Sequence, residues 1–227
     1  MKNNKYLICF DLDGVLLDSM PIANQIFFDM AENEFALPTE KIKKDKRNWA
    51  IAAKERFNMF WKDEIKKKGI TQEQINHFME RFKIKKREAN TPIIPHAKEA
   101  VILMAENFEN LASVSSNSDK LLNWSLKKIG LKKYFKKTTG TDGIKHSKPN
   151  PEIYQKTVAY FNISPDNALT LEDSTPGIKS AKSAGIKAIG VATGVESTKD
   201  LKKAGADIVL DDLSELTLDL VCDLLKI

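Results

Sequence analysis

Short apolar runs, separated by longer helical patterns, dominate the hydrophobic pattern of the chain. Five runs are rich in branched or aromatic residues, namely residues 6–10, 111–115, 168–171, 188–191 and 208–210. Strands that alternate with helices are typical of a parallel sheet covered by helices on both faces. The pattern therefore predicts an α/β fold with a parallel sheet at its core.

Local signals mark where several helices begin and end. Ser118 is predicted to cap a helix that ends just before Gly130. Residues 71–74, with the sequence Thr-Gln-Glu-Gln, have the pattern of a capping box. Thr175 precedes a proline, the residue favoured at the first helical position, and is predicted to cap the helix after the third run. Two of these three helices would thus start directly after a predicted strand.

A long interval between the first two apolar runs, residues 20–90, shows helical periodicity and no strand pattern. Within it, Ile75, Phe78, Met79 and Phe82 repeat with the spacing of one helix face. We therefore predict two domains. An α/β core would contain residues 1–19 and 91–227, and an all-helical domain, residues 20–90, would be inserted after the first strand.

The composition is that of a folded globular chain. Hydrophobic residues make up 42% of the 227 residues and charged residues 30%, which are globular proportions. The N-terminal residues lead into an apolar run too short for a signal peptide or a membrane span, so we expect a cytoplasmic protein. The two cysteines, Cys9 and Cys222, give neither a disulfide framework nor a metal-ligand spacing.

The basic character of the chain is concentrated in one segment. The net charge is +5, but residues 41–88 contain sixteen Lys and Arg residues against seven Asp and Glu residues, a net +9. Such a segment could attract an anionic substrate, although charge runs more often form a solvated helix face. It has no recognition motif with interleaved aromatic and basic residues, so we expect no nucleic-acid partner.

Polar side chains cluster at or near the ends of the predicted strands. The four clusters are Asp11 with Asp13, the run Ser115-Ser116-Asn117, Lys148, and Glu172 with Asp173. Each alone also fits a turn, a helix cap or a solvated charge. Ligands of open parallel sheets bind beyond the carboxyl ends of the strands, so the clusters are expected to meet in one crevice.

Together the four clusters have the composition of a phosphoryl-transfer site. Carboxylates that meet need a cation, and Mg²⁺ commonly binds proteins through one or two carboxylates. A serine hydroxyl, a backbone N–H and a lysine ammonium are the donors that a phosphoryl group requires. Asp11 could attack phosphorus as a nucleophile, and Asp13, two residues further along the same strand face, could act as acid and base.

The clusters also resemble the motifs of a known family, the haloacid dehalogenase-like (HAD) hydrolases. The similar segments are FDLDGVLLDS at 10–19, VSSN at 114–117, KPNPEIY at 148–154 and LEDSTPGIKSAKSAG at 171–185. They are similar to the branch that contains phosphoglycolate phosphatase-like and β-phosphoglucomutase-like enzymes. The resemblance implies a Rossmann-like core with an α-helical cap between the first two strands, which agrees with the helical interval.

The resemblance implies catalytic or metal-binding roles for the four carboxyl residues. Asp11 would be the nucleophile and Asp13 the acid and base. Mg²⁺ would be bound by Asp11, by the backbone carbonyl of Asp13 and by Asp173, with Glu172 as a further ligand.

The resemblance also implies phosphate-binding residues. Ser116, which directly precedes Asn117, would hydrogen-bond the phosphoryl oxygens, and Ser115 is the neighbouring alternative. Asn117 belongs to the same binding segment. Lys148 would neutralise the charge of the nucleophile and of the phosphoryl group.

These features predict a magnesium-dependent phosphatase that acts on a small phosphomonoester, such as a sugar phosphate, phosphoglycolate or a nucleotide, through an aspartyl-phosphate intermediate. Asp13 argues against dehalogenase activity, because attack on carbon needs neither an acid for an alkoxide nor a metal. A sugar phosphomutase is the first alternative. A catalytically inert protein that binds an anion or a nucleic acid through the basic segment is the second. The sequence contains no interface signature that would indicate an oligomeric state.

Overall fold

A computed structural model of the protein describes residues 2–44 and 53–227. The chain divides into two compact units. The first is formed by Met1–Asp18 with Pro92–Ile227, and the second by Ser19–Thr91. The first unit contains the sheet, whereas the described part of the second unit contains helices and no strand.

A six-stranded parallel sheet forms the centre of the first unit. Its strands are β1 (Asn3–Phe10), β2 (Phe108–Val114), β3 (Lys137–Thr139), β4 (Ala168–Glu172), β5 (Lys187–Val191) and β6 (Ile208–Leu210). They lie in the order β3-β2-β1-β4-β5-β6, and every pairing is parallel. The predicted parallel sheet is therefore confirmed. The hydrophobic pattern does not predict β3, because this edge strand has the polar sequence Lys-Thr-Thr.

The helices of the described residues are distributed over both units. Those of the second unit are α1 (Ser19–Phe35), α2 (Glu40–Lys43), α3 (Ala53–Phe60), α4 (Lys62–Lys68) and α5 (Gln72–Glu88). Those of the first unit are α6 (Ala97–Asn107), α7 (Asp119–Lys128), α8 (Glu152–Phe161), α9 (Thr175–Ser183), α10 (Thr198–Ala204) and α11 (Leu218–Leu225). None of these described helices has the length and apolar character needed to cross a membrane.

The sheet is covered on both faces because alternate strand residues point in opposite directions. Ile8 and Phe10 of β1 belong to a core cluster with residues of α6, α7 and α11. Leu7 and Cys9 of the same strand belong to a second cluster with residues of α8, α9 and α10. The α/β architecture with helices on both faces is thus the one that the sequence predicts.

The strand order reverses at β1 and β4, which lie side by side at the centre of the sheet. Phe10 of β1 is paired with Leu171 of β4, so the two strands end at nearly the same level. In sheets of this order, the crevice outside the carboxyl ends of the two central strands is the place where ligands bind. The residues that follow Phe10 and Leu171 are the aspartates and the Glu-Asp pair identified in the sequence.

The second unit has a hydrophobic core of its own. The ring of Phe27 contacts five other aromatic rings, with centroid distances of 5.5 to 6.2 Å. The predicted apolar face of α5 is buried in this core and contains Ile75, Phe78, Met79 and Phe82. The predicted capping box is also confirmed, because the Thr71 side chain accepts from the Gln74 N–H, and the Gln74 side chain accepts from the Thr71 N–H.

Candidate active site

Asp11 is the first residue after β1 and lies at the reversal point of the sheet. Its backbone N–H donates to the Leu171 carbonyl at 3.0 Å, which continues the pairing of β1 with β4 by one residue. Its carboxyl group is buried, and its Oδ1 atom accepts a hydrogen bond from Lys148 Nζ at 2.8 Å. The end of β1 therefore holds a carboxyl group against an ammonium group in the protein interior.

Lys148 comes from the long loop between β3 and α8. Its ammonium group is almost entirely buried and also donates to Glu172 Oε1 at 2.5 Å. Lys148 thus bridges two carboxyl groups that come from neighbouring strands. The lysine is not a solvated surface charge, although the sequence contains many that are.

Glu172 is the last residue of β4 and is fully buried. Besides Lys148, its Oε1 atom accepts a hydrogen bond from the Tyr154 hydroxyl at 2.5 Å, and its Oε2 atom accepts one from Ser174 Oγ at 3.3 Å. Tyr154 lies within the quoted KPNPEIY segment, but the sequence alone gave no reason to assign it a contact. The contact could have been found only from burial, because the hydroxyl of a fully buried tyrosine needs a polar partner.

Asp173 follows directly and brings a third carboxyl group to the site. One oxygen each from Asp11, Glu172 and Asp173 lie within 4.8 Å of one another, and all three residues are buried. Among the described residues, no group donates a hydrogen bond to the Asp173 carboxyl group. Gly14 makes room for it, because a Cβ atom at position 14 would lie 1.9 Å from Asp173 Oδ2.

The charges of this cluster do not balance, and the pKa values respond accordingly. Burial raises the pKa of Asp11 to about 8, although Lys148 acts in the opposite direction. Burial and the neighbouring carboxyl groups also raise the pKa of Asp173 well above its usual range. Burial alone would lower the pKa of Lys148, but Asp11 and Glu172 hold it well above its usual value. The cluster thus contains three carboxyl groups and only one ammonium group to compensate their charge.

A hard divalent cation fits this arrangement. It would compensate the surplus of negative charge, and buried carboxylate oxygens are the ligands that Mg²⁺ prefers. The Asp173 carboxyl group accepts no hydrogen bond from the described residues, and Asp11 is the carboxyl group that raises its pKa most. Asp11 and Asp173, with Glu172 as a third candidate, are the side chains that could bind the ion.

Asp13 lies two residues beyond Asp11 and is held by Asn117. The Asn117 amide nitrogen donates to Asp13 Oδ2 at 2.6 Å and to Ser115 Oγ at 3.1 Å. The Asn117 backbone N–H also donates to Ser115 Oγ at 3.1 Å. The structure therefore brings Asn117 into the site through contacts with Asp13 and Ser115.

Ser115 and Ser116 have different environments. Ser115 is buried directly after β2, and its hydroxyl oxygen already accepts two hydrogen bonds from Asn117. A serine hydroxyl has one hydrogen to donate and two lone pairs to accept with, so the Ser115 O–H is the remaining donor. Ser116 has an exposed side chain. The hydroxyl that the structure places in the Asp13 network is thus that of Ser115, not that of Ser116.

Comparison with known proteins shows which family model the chain matches. A family model described as haloacid dehalogenase-like hydrolase matches residues 8–191. The matched range contains every polar cluster described above, as well as the helical second unit. It ends at the last residue of β5.

Two curated relatives and one solved structure illustrate the similarity. The phosphorylated carbohydrates phosphatase of Thermotoga maritima is 29% identical over 204 residues, which cover 88% of this chain and 91% of the relative. Phosphoglycolate phosphatase 1 of Pseudomonas aeruginosa is 24% identical and covers 92% of this chain and 78% of its own. The crystal structure of a candidate β-phosphoglucomutase from Thermotoga maritima is 26% identical, with a TM-score of 0.76 and coverage of 96% and 99%.

Proposed function

Because the chain belongs to the haloacid dehalogenase-like hydrolases, we propose that it is a magnesium-dependent phosphatase that hydrolyses a small phosphomonoester through an aspartyl-phosphate intermediate. The observation that carries this proposal is the position of Asp11. Its carboxyl group is buried at the reversal point of the sheet, with the Lys148 ammonium on one oxygen and the Asp173 carboxyl group beside it. The ammonium group favours the ionised form of Asp11, and only the carboxylate can attack phosphorus.

In the first step, an Asp11 carboxylate oxygen attacks phosphorus in line with the ester oxygen. The new bond is an acyl-phosphate bond, and the phosphorus–ester oxygen bond breaks. Asp13 donates a proton to the departing alkoxide, so that the product leaves as a neutral alcohol. The Asn117 amide supports this role, because its contact with Asp13 Oδ2 fixes the orientation of the carboxyl group.

In the second step, water attacks the phosphorus atom of the aspartyl phosphate. Asp13, now a carboxylate, accepts a proton from this water, and the bond between phosphorus and Asp11 breaks. Inorganic phosphate leaves, and both aspartates return to their initial states. One residue can serve as acid and then as base because the alkoxide leaves, and the water later attacks, on the same side of the phosphorus, opposite Asp11.

The phosphoryl group would be bound by three donors of the chain. The Lys148 ammonium lies against Asp11 and can contact a phosphoryl oxygen next to it. The Ser115 O–H is directed by the two bonds that its oxygen accepts from Asn117. The backbone N–H of Ser116 follows directly and is available whatever side chain stands there.

The metal ion would be bound by Asp11 and Asp173, with the Asp13 carbonyl as a further oxygen ligand and Glu172 as the third carboxyl group. When bound, Mg²⁺ supplies positive charge that stabilises the transferring phosphoryl group. Glu172 has a second task, because it fixes Lys148 at 2.5 Å. The orientation of the Asp13 carbonyl is fixed as well, since the Gly14 N–H of the same planar peptide donates to the Leu17 carbonyl at 2.8 Å.

The substrate class is proposed from the relatives. Their names refer to phosphorylated carbohydrates and to phosphoglycolate, so a small phosphorylated metabolite, in particular a sugar phosphate, is the substrate that we propose. A sugar phosphomutase is the second candidate, because the chain is 26% identical to a candidate β-phosphoglucomutase. A mutase would require a sugar bisphosphate as activator, whereas a phosphatase would not.

The proposal is tested by hydrolysis of p-nitrophenyl phosphate with Mg²⁺ and with EDTA, followed by a panel of phosphorylated metabolites. We expect turnover that needs Mg²⁺ and that falls by at least about 10⁴-fold in Asp11→Asn, because loss of a nucleophile removes the covalent step. Asp166→Asn is the matched control, since Asp166 is an exposed aspartate just before the amino-terminal end of β4, whereas the candidate site lies at the carboxyl end. It should retain wild-type activity.

Two results would overturn parts of this proposal. A folded wild-type protein that hydrolyses no phosphomonoester at any Mg²⁺ concentration would exclude the phosphatase. Interconversion of sugar phosphates that depends on an added sugar bisphosphate, and that outpaces phosphate release, would establish the mutase instead.

A further inference from the structure

The loop after β5, residues 192–197, lies at the same edge of the sheet as the proposed metal site. β5 is the neighbour of β4, and Glu172 at the end of β4 is paired with Gly190. The residues that follow β5 therefore reach the level of Asp173. The sequence pattern predicts no site residue in this loop, because the loop contains no carboxylate cluster or strand-end motif of the kind found after β1 and β4.

Gly194 of this loop packs directly against the Asp173 carboxyl group. A Cβ atom at position 194 would lie 2.0 Å from Asp173 Oδ2 and 2.8 Å from its Cγ. A Cβ atom at position 14, in the loop after β1, would lie 1.9 Å from the same oxygen. The Asp173 carboxyl group is thus enclosed between the backbones of two glycines, which belong to the loops after β1 and β5.

Thr193 connects the two loops. Its hydroxyl donates to the Gly14 carbonyl at 2.6 Å. The Gly14 N–H is bonded in turn to Leu17, so both polar groups of Gly14 have a partner. Thr193 therefore fixes the distance between the two glycines that enclose Asp173.

The far end of the loop is fastened to α9. A Glu196 carboxylate oxygen accepts from the Thr175 N–H at 2.8 Å and from the Thr175 hydroxyl. Thr175 is the first residue of α9 and comes two residues after Asp173. The loop is thus bound both to the turn after Asp11 and to the helix that follows Asp173.

This enclosure matters because Asp173 has no hydrogen bond within the described part of the chain that would set its orientation. A metal ligand is normally oriented by hydrogen bonds from neighbouring groups, and loss of such partners weakens metal affinity. Here the orientation must come from packing, and the packing is provided by Gly14 and Gly194.

We propose that Thr193 and Gly194 are positioning residues for the metal ion, because they hold the Asp173 carboxyl group and the turn at Gly14 in the geometry that binds Mg²⁺. This inference rests on the proposed function and extends the metal site to a third loop. The two residues are not proposed as ligands of the ion. They act through Asp173 and through the Asp13–Gly14 turn.

Gly194→Ala is a specific test because the added methyl group displaces the Asp173 side chain. The added methyl group would lie 2.0 Å from Oδ2, 2.8 Å from Cγ and 3.0 Å from Cβ of Asp173. The three closest atoms belong to this side chain and not to backbone, so the carboxyl group has to turn away. Thr193→Val removes the hydroxyl but keeps the branched shape, and Thr193→Ser keeps the hydroxyl. The three variants therefore separate the metal geometry from simple loss of packing.

The measurement is the Mg²⁺ dissociation constant by isothermal titration calorimetry, with no substrate present, together with the unfolding temperature of each protein in EDTA. We expect Gly194→Ala and Thr193→Val to bind Mg²⁺ about 10- to 100-fold more weakly, the effect of losing an orienting contact. Thr193→Ser should bind as the wild type does. In p-nitrophenyl phosphate hydrolysis, the weakened variants should recover most of their kcat at high Mg²⁺ concentration.

The outcomes separate this inference from the proposed function. If the wild type binds no Mg²⁺, both are overturned. If the wild type binds Mg²⁺ and turns over substrate while Gly194→Ala and Thr193→Val keep its affinity, the inference alone is overturned. The inference is also overturned if Thr193→Ser is weakened as much as Thr193→Val, because the hydroxyl would then not be the group that matters.

Discussion

At the scale of single residues, the two neighbouring serines after β2 differ in burial and in hydrogen bonding. Ser115 is buried with its oxygen bonded to Asn117, and Ser116 is exposed. The sequence favours Ser116 because Asn117 follows it, but the choice depends on where β2 ends. The strand ends at Val114, so Ser115 is the residue whose side chain lies at the strand tip. A boundary shift of one residue is beyond what a hydrophobic pattern can resolve.

This difference gives a direct prediction for the two serines. Ser115→Ala should lower kcat/KM by about 10- to 100-fold, because a hydrogen bond to a charged oxygen contributes on the order of 1.5 to 3 kcal/mol. Ser116→Ala should stay within about 2-fold of the wild type, since it keeps the backbone N–H that contacts the phosphoryl group. Steady-state kinetics on the best substrate of the panel measures both. A loss in Ser116→Ala with none in Ser115→Ala would restore the assignment made from the sequence.

The carboxyl residues were the most predictable part of the site. Asp11, Asp13, Glu172 and Asp173 all follow apolar runs, and parallel strands bring such residues to one edge. Tyr154, Thr193 and Gly194 were not predicted, because their contacts depend on which loop packs against which. The role of a tyrosine or threonine hydroxyl, or of a glycine that leaves room for a neighbour, cannot be predicted until the neighbouring residues are known. The roles of all these residues stay predictions until variants are measured.

At the scale of elements, the loop between β3 and α8 decides where Lys148 lies. Glu152 in the first turn of α8 accepts hydrogen bonds from the N–H groups of Lys145 and His146, each at about 3 Å. It also pairs with Lys156 at 2.7 Å, and Lys156 donates to the Gly143 carbonyl. The first turn of α8 thus fastens the loop a few residues before Lys148.

The pKa of Glu152 makes this contact testable by pH. The hydrogen bond with Lys156 and those from the backbone lower the pKa of Glu152 to about 2, from an ordinary value of 4.5. A carboxyl group with a lowered pKa stabilises the fold above its ordinary pKa, and this stabilisation is lost as the pH falls toward 2. Glu152→Gln should therefore lower the unfolding temperature at pH 6 to 7, and the difference from the wild type should shrink between pH 4.5 and 2.

Thermal unfolding of the two proteins across this pH range measures the effect. Lys156→Met is the matched variant, because it removes the partner that contributes most to the shift, and it should reproduce part of the loss at pH 7. A difference between wild type and Glu152→Gln that is the same at pH 3 as at pH 7 would contradict the proposed role of the ionised carboxylate.

The first residues of the helices could be predicted from local sequence signals to within one residue for α7 and α9. Ser118 caps α7 as predicted, with its hydroxyl accepting from the Leu121 N–H at 3.3 Å. The cap of α9 was predicted one residue too late. Ser174 is the capping residue and accepts from the Gly177 N–H, while Thr175 is the first residue of the helix. Thr175 instead donates its hydroxyl to Glu196, a contact across the fold that no local pattern contains.

At the scale of the whole molecule, the parallel sheet could be predicted because its buried strands are continuous apolar runs between helices. The exception is β3, an edge strand of three polar residues. The buried face of α5 from Ile75 to Phe82 could also be predicted, since its apolar residues repeat with helical spacing. Attraction of an anionic substrate by the basic segment of the second unit stays a prediction. Part of its basic segment, residues 45–52, lies outside the described residues.

The central claim is that Asp11 becomes phosphorylated during turnover. The most direct measurement uses Asp13→Asn, in which loss of the base should slow hydrolysis of the intermediate by about 10² to 10⁴-fold. The variant is mixed with Mg²⁺ and ³²P-labelled p-nitrophenyl phosphate, whose nitrophenolate can leave without the acid that Asp13 would supply, and is quenched in acid. One portion is counted for label on the protein, and a second is reduced with borohydride and digested. We expect label on the protein and conversion of Asp11 to homoserine in its peptide. Turnover by the wild type, with label on another residue or none on Asp11 in the variant, would contradict the claim.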